Sequence, residues 1–220
     1  MDGDFMDRVT PVIDATIKLL SSTNFIVDPI AGEKLSRSTS IMSSAYKRHG
    51  RILETALRES LRDSNRHRVW NDDVFRVSRA ADALVSSQSE AESRHSSLPY
   101  GESIRTIQID MIAFDEADRT IRAYEVKRGN GRFDAGKIRS IKRDLLCTQV
   151  LLKSYGDVAK CPAEAAEARI IFYYGLRSIP KPWSLDRDEL DEHFGYPVVP
   201  KIEQANEYFR IRLHELLASA

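Results

Sequence analysis

In the stretch IQIDMIAFDEADRTIRAYEVKRG, residues 107 to 129, Asp110 precedes the tripeptide Glu125-Val126-Lys127. Side chains alternate along a strand, so Glu125 and Lys127 point to one face and Tyr124 and Val126 to the other. The polar DEADR at 115 to 119 separates two Ile-rich runs, roughly 104 to 114 and 120 to 128, and reads as a hairpin turn. Such a hairpin sets Asp110 opposite residues 124 to 126, where its carboxylate can converge on Glu125. Two convergent carboxylates are a hard-oxygen site of the kind Mg²⁺ accepts, with Mn²⁺ as a substitute, leaving positions for water and a substrate phosphate. A metal there lowers the pKa of a bound water and stabilises charge building on a phosphodiester. Lys127 would orient that water or neutralise the phosphate.

The elements that must position these residues follow from periodicity. Residues 5 to 20 place Val9, Val12, Ile13, Ile17 and Leu20 at helical intervals, with Pro11 expected in the first turns. FIVDPIAGEKLSRSTS reads as a connector, and Tyr46, Leu53, Leu57 and Leu61 predict a helix over 43 to 62. VWNDDVFRVS suggests a short strand with a turn at Asn71-Asp72. Residues 86 to 101, rich in Ser with few apolar groups, read as a mobile loop. After the hairpin come an amphipathic helix in KIRSIKRDLLCTQVLLKSYG, a buried strand in ARIIFYYG, a short acidic helix and a final helix. The order gives an α/β fold with a mixed β-sheet flanked by helices.

Asp110 followed by Glu125-Val126-Lys127 on the next strand resembles the PD-(D/E)xK nuclease superfamily. Ile109 stands where the family's name places Pro. The resemblance implies a restriction endonuclease-like core in the order α, β, β, β, α, β, covering about 43 to 175 of a single domain over 1 to 220. The N-terminal helix (5 to 20) and C-terminal helices (185 to 218) are additions. It implies a Mg²⁺-dependent DNA endonuclease of restriction, repair or phage-defence type. Asp110 and Glu125 would bind metal and Lys127 would assist the attacking water. A further glutamate on the preceding helix falls to Glu54, beside the Leu57 and Leu61 stripe, whereas Glu59 lies away from it. Some members carry a glutamine on the helix after the lysine, which here is Gln149, although Tyr155 follows later than their usual tyrosine.

Net charge is zero over 220 residues, so global charge names no partner. Between 127 and 143, however, Arg128, Arg132, Lys137, Arg139, Lys142 and Arg143 join Lys127 against a single acid, Asp134. Such a patch is the footprint of DNA phosphate binding, for which Arg128, Arg132, Lys137, Arg139 and Gln149 are the candidates. Cutting both strands of a duplex would favour a homodimer. Apolar content of 42% with 30% charged residues fits a globular chain. Cys147 and Cys161 have neither zinc-knuckle nor disulfide-framework spacing, and the five histidines show no ligand spacing. RGNGRFDAG lacks the Gly-Lys-Ser/Thr ending of a Walker loop, so no nucleotide cofactor is expected. The acidic MDGDFMDR and the lack of long apolar runs point to a cytoplasmic protein without membrane attachment.

Three plainer readings compete. Glu125 and Lys127 can be an exposed ion pair on a solvated strand, yet Ile121 and Ala123 on the same face suit burial. A nuclease fold can also serve as a catalytically silent DNA-binding or protein-interaction subunit. Glu54 can simply pair with Arg58 at i+4.

Overall fold

A computed structural model describes residues 4–219; Met1–Gly3, where the acidic N-terminal stretch begins, and Ala220 lie outside the described residues. Along the chain run α1 (Phe5–Ser21), α2 (Gly32–Arg62), β1 (His67–Val77), α3 (Arg79–Ser87), α4 (Glu90–His95), β2 (Arg105–Asp115), β3 (Thr120–Lys127) and α5 (Ala135–Val158). They are followed by β4 (Ala165–Phe172), β5 (Ser184–Asp186), α6 (Arg187–Phe194) and α7 (Val199–Ala218). The chain divides into two compact units, one of residues 1–63 with 197–220 and one of residues 64–196. Among the described residues no helix is long and apolar enough to cross a membrane.

The helical unit packs α1, α2 and α7 against one another. Val9, Ile13, Ile17 and Leu20 recur on one side of α1 and are buried, as are Ile202, Ala205, Phe209 and Leu213 on α7. Asp4 caps α1 through a capping box with Asp7, and Pro11 sits inside the helix. α2 begins eleven residues before the expected 43, at Gly32. The Pro-Gly-Ser composition hid this start. Asp28 Oδ1 accepts from the backbone N–H groups of Ile30 (2.8 Å) and Ala31 (2.9 Å), and Ser36 Oγ accepts from Asp28 N (2.9 Å). These bonds turn the connector directly into the helix.

The second unit is α/β, built on an open five-stranded mixed sheet in the order β1-β2-β3-β4-β5. β1, β2 and β3 are antiparallel neighbours, while β3, β4 and β5 run parallel, with α5 making the crossover from β3 to β4. The expected strand near 70 is therefore a full edge strand, β1, whose pairing with β2 shifts register between Trp70 and Asp72 and again between Asp72 and Phe75. Helices cover both faces. Ile121 and Ala123 pack into one core with Ile141, Leu145 and Val150 of α5. On the opposite face Tyr124 meets Phe194 of α6 at 5.3 Å between ring centroids.

The Ser-rich segment 86 to 101, expected to be a mobile loop, contains the end of α3 and all of α4. Ser89 and Glu92 form a capping box, Leu98 N donates to Val150 O (2.8 Å) and Tyr100 N to Ser154 Oγ (2.5 Å). Hydrogen bonds to α5, together with the tilted and edge-on ring contacts of Tyr100 with Phe75 and Tyr155, hold what apolar content alone does not.

Candidate active site

The site forms where β2 leaves β3. Their pairing runs from Asp115↔Thr120 to Met111↔Tyr124, and one step further along that register Asp110 faces Glu125. Beyond this point Val126 N–H donates to Asp110 Oδ2 at 2.8 Å. The carboxylate thus takes the place of a strand carbonyl for a buried backbone donor, which fixes the side chain at the fork. Lys127 follows on the same face as Glu125. Its Nζ lies 2.6 Å from Glu125 Oε1 and 3.4 Å from Asp110 Oδ2, so one ammonium bridges both acids. Asp110 is 9% exposed.

Two carboxylates share the Lys127 ammonium, and the charge of Lys137 also acts on Glu125. Burial pushes the Glu125 carboxyl above the ordinary glutamate value, Lys127 pulls against this, and the charge of Asp110 adds to it. Among the described residues no group of three or more His, Cys, Asp or Glu is placed to hold a metal. The donor set still fits Mg²⁺, which keeps several waters and is commonly held by one or two carboxylates together with substrate phosphate.

A cleft of about 290 Å³ opens beside Glu125, between β2 and the first turns of α5. Gln108, Lys137, Asp144 and Thr148 line it. Sequence reasoning placed Lys137 here but missed Gln108 and Thr148; Gln108, two residues before Asp110, carried the signal. Just past Lys127 the chain turns at Gly129, whose φ of +69° suits glycine and where a Cβ would stand 2.8 Å from the Cβ of Phe172.

The other expected residues are dispersed. Arg132, Lys137 and Arg139 are exposed, with no acidic partner within salt-bridge reach among the described residues. Lys142 pairs with Glu90 (2.6 Å) and Arg143 with Asp82, so the basic patch is narrower than its sequence suggests. Arg128 lies over the Tyr174 ring, 5.5 Å from its centroid. Gln149 is buried on α5, where its amide donates to Ala166 O (2.5 Å) and accepts from Ala168 N (2.7 Å), satisfying β4 ahead of its pairing with β5.

Glu54 stands half-buried on α2 in the helical unit. Glu59, expected to lie away from the packed face, is 5% exposed and is held by Arg8 (3.0 Å) and Arg62 (2.8 Å). α2 packs on both α1 and α7, so one apolar stripe did not describe it. His49 is likewise internal to that unit, hydrogen-bonded to Asn206 at 2.9 Å and stacked on Phe209. In the sheet unit, burial pushes His193 down to about 3. The neutral ring shares a 2.7 Å hydrogen bond with the hydroxyl of Tyr124, the neighbour of Glu125 on the opposite face of β3.

No family model, no curated protein and no solved structure matches this chain.

Proposed function

We propose that the sheet unit is a Mg²⁺-dependent phosphodiesterase acting on DNA, an endonuclease with a restriction endonuclease-like core. The observation that carries this reading is the single ammonium of Lys127 held between Glu125 (2.6 Å) and Asp110 (3.4 Å) at a strand fork whose Glu125 also lines a cleft. The succession of α2, three antiparallel strands, α5 and a parallel β4 supports it.

Asp110 and Glu125 would hold the metal, which when bound activates water and offsets charge on the phosphoryl oxygens. Asp110 is oriented for this by Val126 N–H. Lys127 supplies a cation beside the scissile phosphate, where charge grows in the transition state, and in a part-buried site that contact is stronger than in water. Lys137, at the cleft, and Arg139 contact flanking phosphates and set register without reading sequence.

The test is supercoiled plasmid incubated with Mg²⁺ or Mn²⁺, with and without chelator. Metal-dependent nicking is expected, and Lys127→Ala should lower its rate by about 10²-fold to 10³-fold while sparing DNA binding. Undiminished cleavage by that variant would sink the assignment. DNA binding with no cleavage under any metal would leave a silent binding subunit instead.

A further inference from the structure

The three parallel strands β3, β4 and β5 end together, and in open α/β sheets ligands gather at the carboxyl ends of the strands. Lys127 ends β3, Phe172 pairs with it at the end of β4, and Asp186 ends β5. Past the register Lys127↔Phe172, Tyr173 N donates to Lys127 O (3.0 Å) and Tyr174 N to Arg128 O (2.7 Å). The backbone turns at Gly175, where φ is +81°. This turn lifts Tyr174 out of the sheet: 45% of its surface is exposed, and the Arg128 guanidinium lies 5.5 Å from its ring centroid.

Beside the ring is a second cleft of about 220 Å³, lined by Tyr173, Tyr174, Gly175, Asp186, Arg187 and Asp188. Its charged lining is Asp186, Asp188 and Arg187, and Arg177 pairs with Asp186 (2.5 Å) and with Glu189, so the wall carries no net positive charge to select a phosphate. A flat, uncharged, hydrogen-bonding group suits the space: its face against tyrosine and its polar edge towards the carboxylates.

Resting on the hydrolase reading, we propose that Tyr174 and Arg128 form a stacking platform for an unpaired nucleobase of the strand whose phosphate lies at Lys127. In a duplex both faces of a base are already stacked, so the platform is filled only by a single-stranded, frayed or flipped nucleotide. The substrate class is therefore DNA with unpaired bases at the cleavage position, in preference to intact duplex.

The probe is a single-stranded oligonucleotide carrying one 2-aminopurine, bound with Mg²⁺ to the full chain bearing Lys127→Ala. Quenching of its fluorescence on binding is expected, together with loss of quenching and about tenfold weaker binding when Tyr174→Ala is added. Tyr174→Phe should retain both, and affinity for intact duplex should not change between the tyrosine and alanine forms. Equal single-strand affinity and quenching with and without the tyrosine ring would overturn the platform, as would failure of the oligonucleotide to bind. Tyr174-dependent quenching in a protein that cleaves nothing would remove the hydrolase reading alone. Metal-dependent cleavage with Tyr174-independent binding would remove the platform alone.

Discussion

At the turn end of the β2–β3 hairpin, Asp115 is 2% exposed and meets Arg66 at 2.5 Å, with His67 and Arg122 each 3.6 Å away. At the open end of the same hairpin, Asp110 and Glu125 share Lys127. The residue types are alike, but the two acids shift in opposite directions. Burial pushes the Asp115 carboxyl up, yet Arg66, the N–H of Ala117 and His67 outweigh it and hold the group below the ordinary aspartate value. Glu125 ends above its ordinary value. At the turn the cations win over burial and hold Asp115 ionised, whereas at the fork burial wins over Lys127 and Lys137 and keeps Glu125 above its ordinary value.

The largest effect that separates the ends in stability is expected from Asp115→Asn. It should cost about 2 kcal/mol in urea unfolding at neutral pH, the low side for a broken buried pair because Arg66 is 40% exposed. Cleavage per folded molecule should persist. Because the folded pKa of Asp115 lies below the unfolded value, its stabilisation is complete above the ordinary aspartate range and is lost as pH falls through the folded pKa. The gap between wild type and variant should therefore close in acid; a pH-independent gap would break the comparison.

A smaller and opposite change is expected at the fork. Glu125→Gln should abolish cleavage yet raise the thermal midpoint slightly at neutral pH. The folded pKa of Glu125 exceeds the unfolded one, so its favourable contribution is present below the ordinary glutamate value and lost as pH rises through the folded pKa. The advantage of the glutamine should grow from acid to neutral pH, and Mg²⁺ should narrow it by stabilising only the wild type. A variant destabilised at neutral pH would place Glu125 with Asp115 as a structural acid.

The smallest effect concerns Lys137, whose charge lowers the Glu125 pKa. Lys137→Ala should move the acid limb of the cleavage profile to higher pH and reduce the salt-dependence slope of DNA binding by about one. Unchanged slope and profile would remove Lys137 from the site.

The hairpin was legible because strand alternation and a polar turn are local signals, and they carried Asp110, Glu125 and Lys127 to one place. The start of α2 and the whole of α4 were hidden by serine-rich composition, although Ser89 and Glu92 stood at capping-box spacing. Glu59 was misplaced because a helix packed on two sides has no single buried stripe. The pairing of Lys142 and Arg143 with Glu90 and Asp82 depends on contacts 52 and 61 residues apart, and Tyr174 acquires its neighbour only through the β3–β4 register. Neither is written in any short window.

The broken register of β1 bears on assembly. An edge strand that slips twice and presents Asp72, Asp73 and Arg76 is poorly suited to hydrogen-bonding a strand from another molecule. β5, at the other edge, offers only three residues. On the proposed reading, a second copy that cut the opposite DNA strand would therefore dock through side chains, leaving each sheet closed to its twin and the strand fork undistorted by the union.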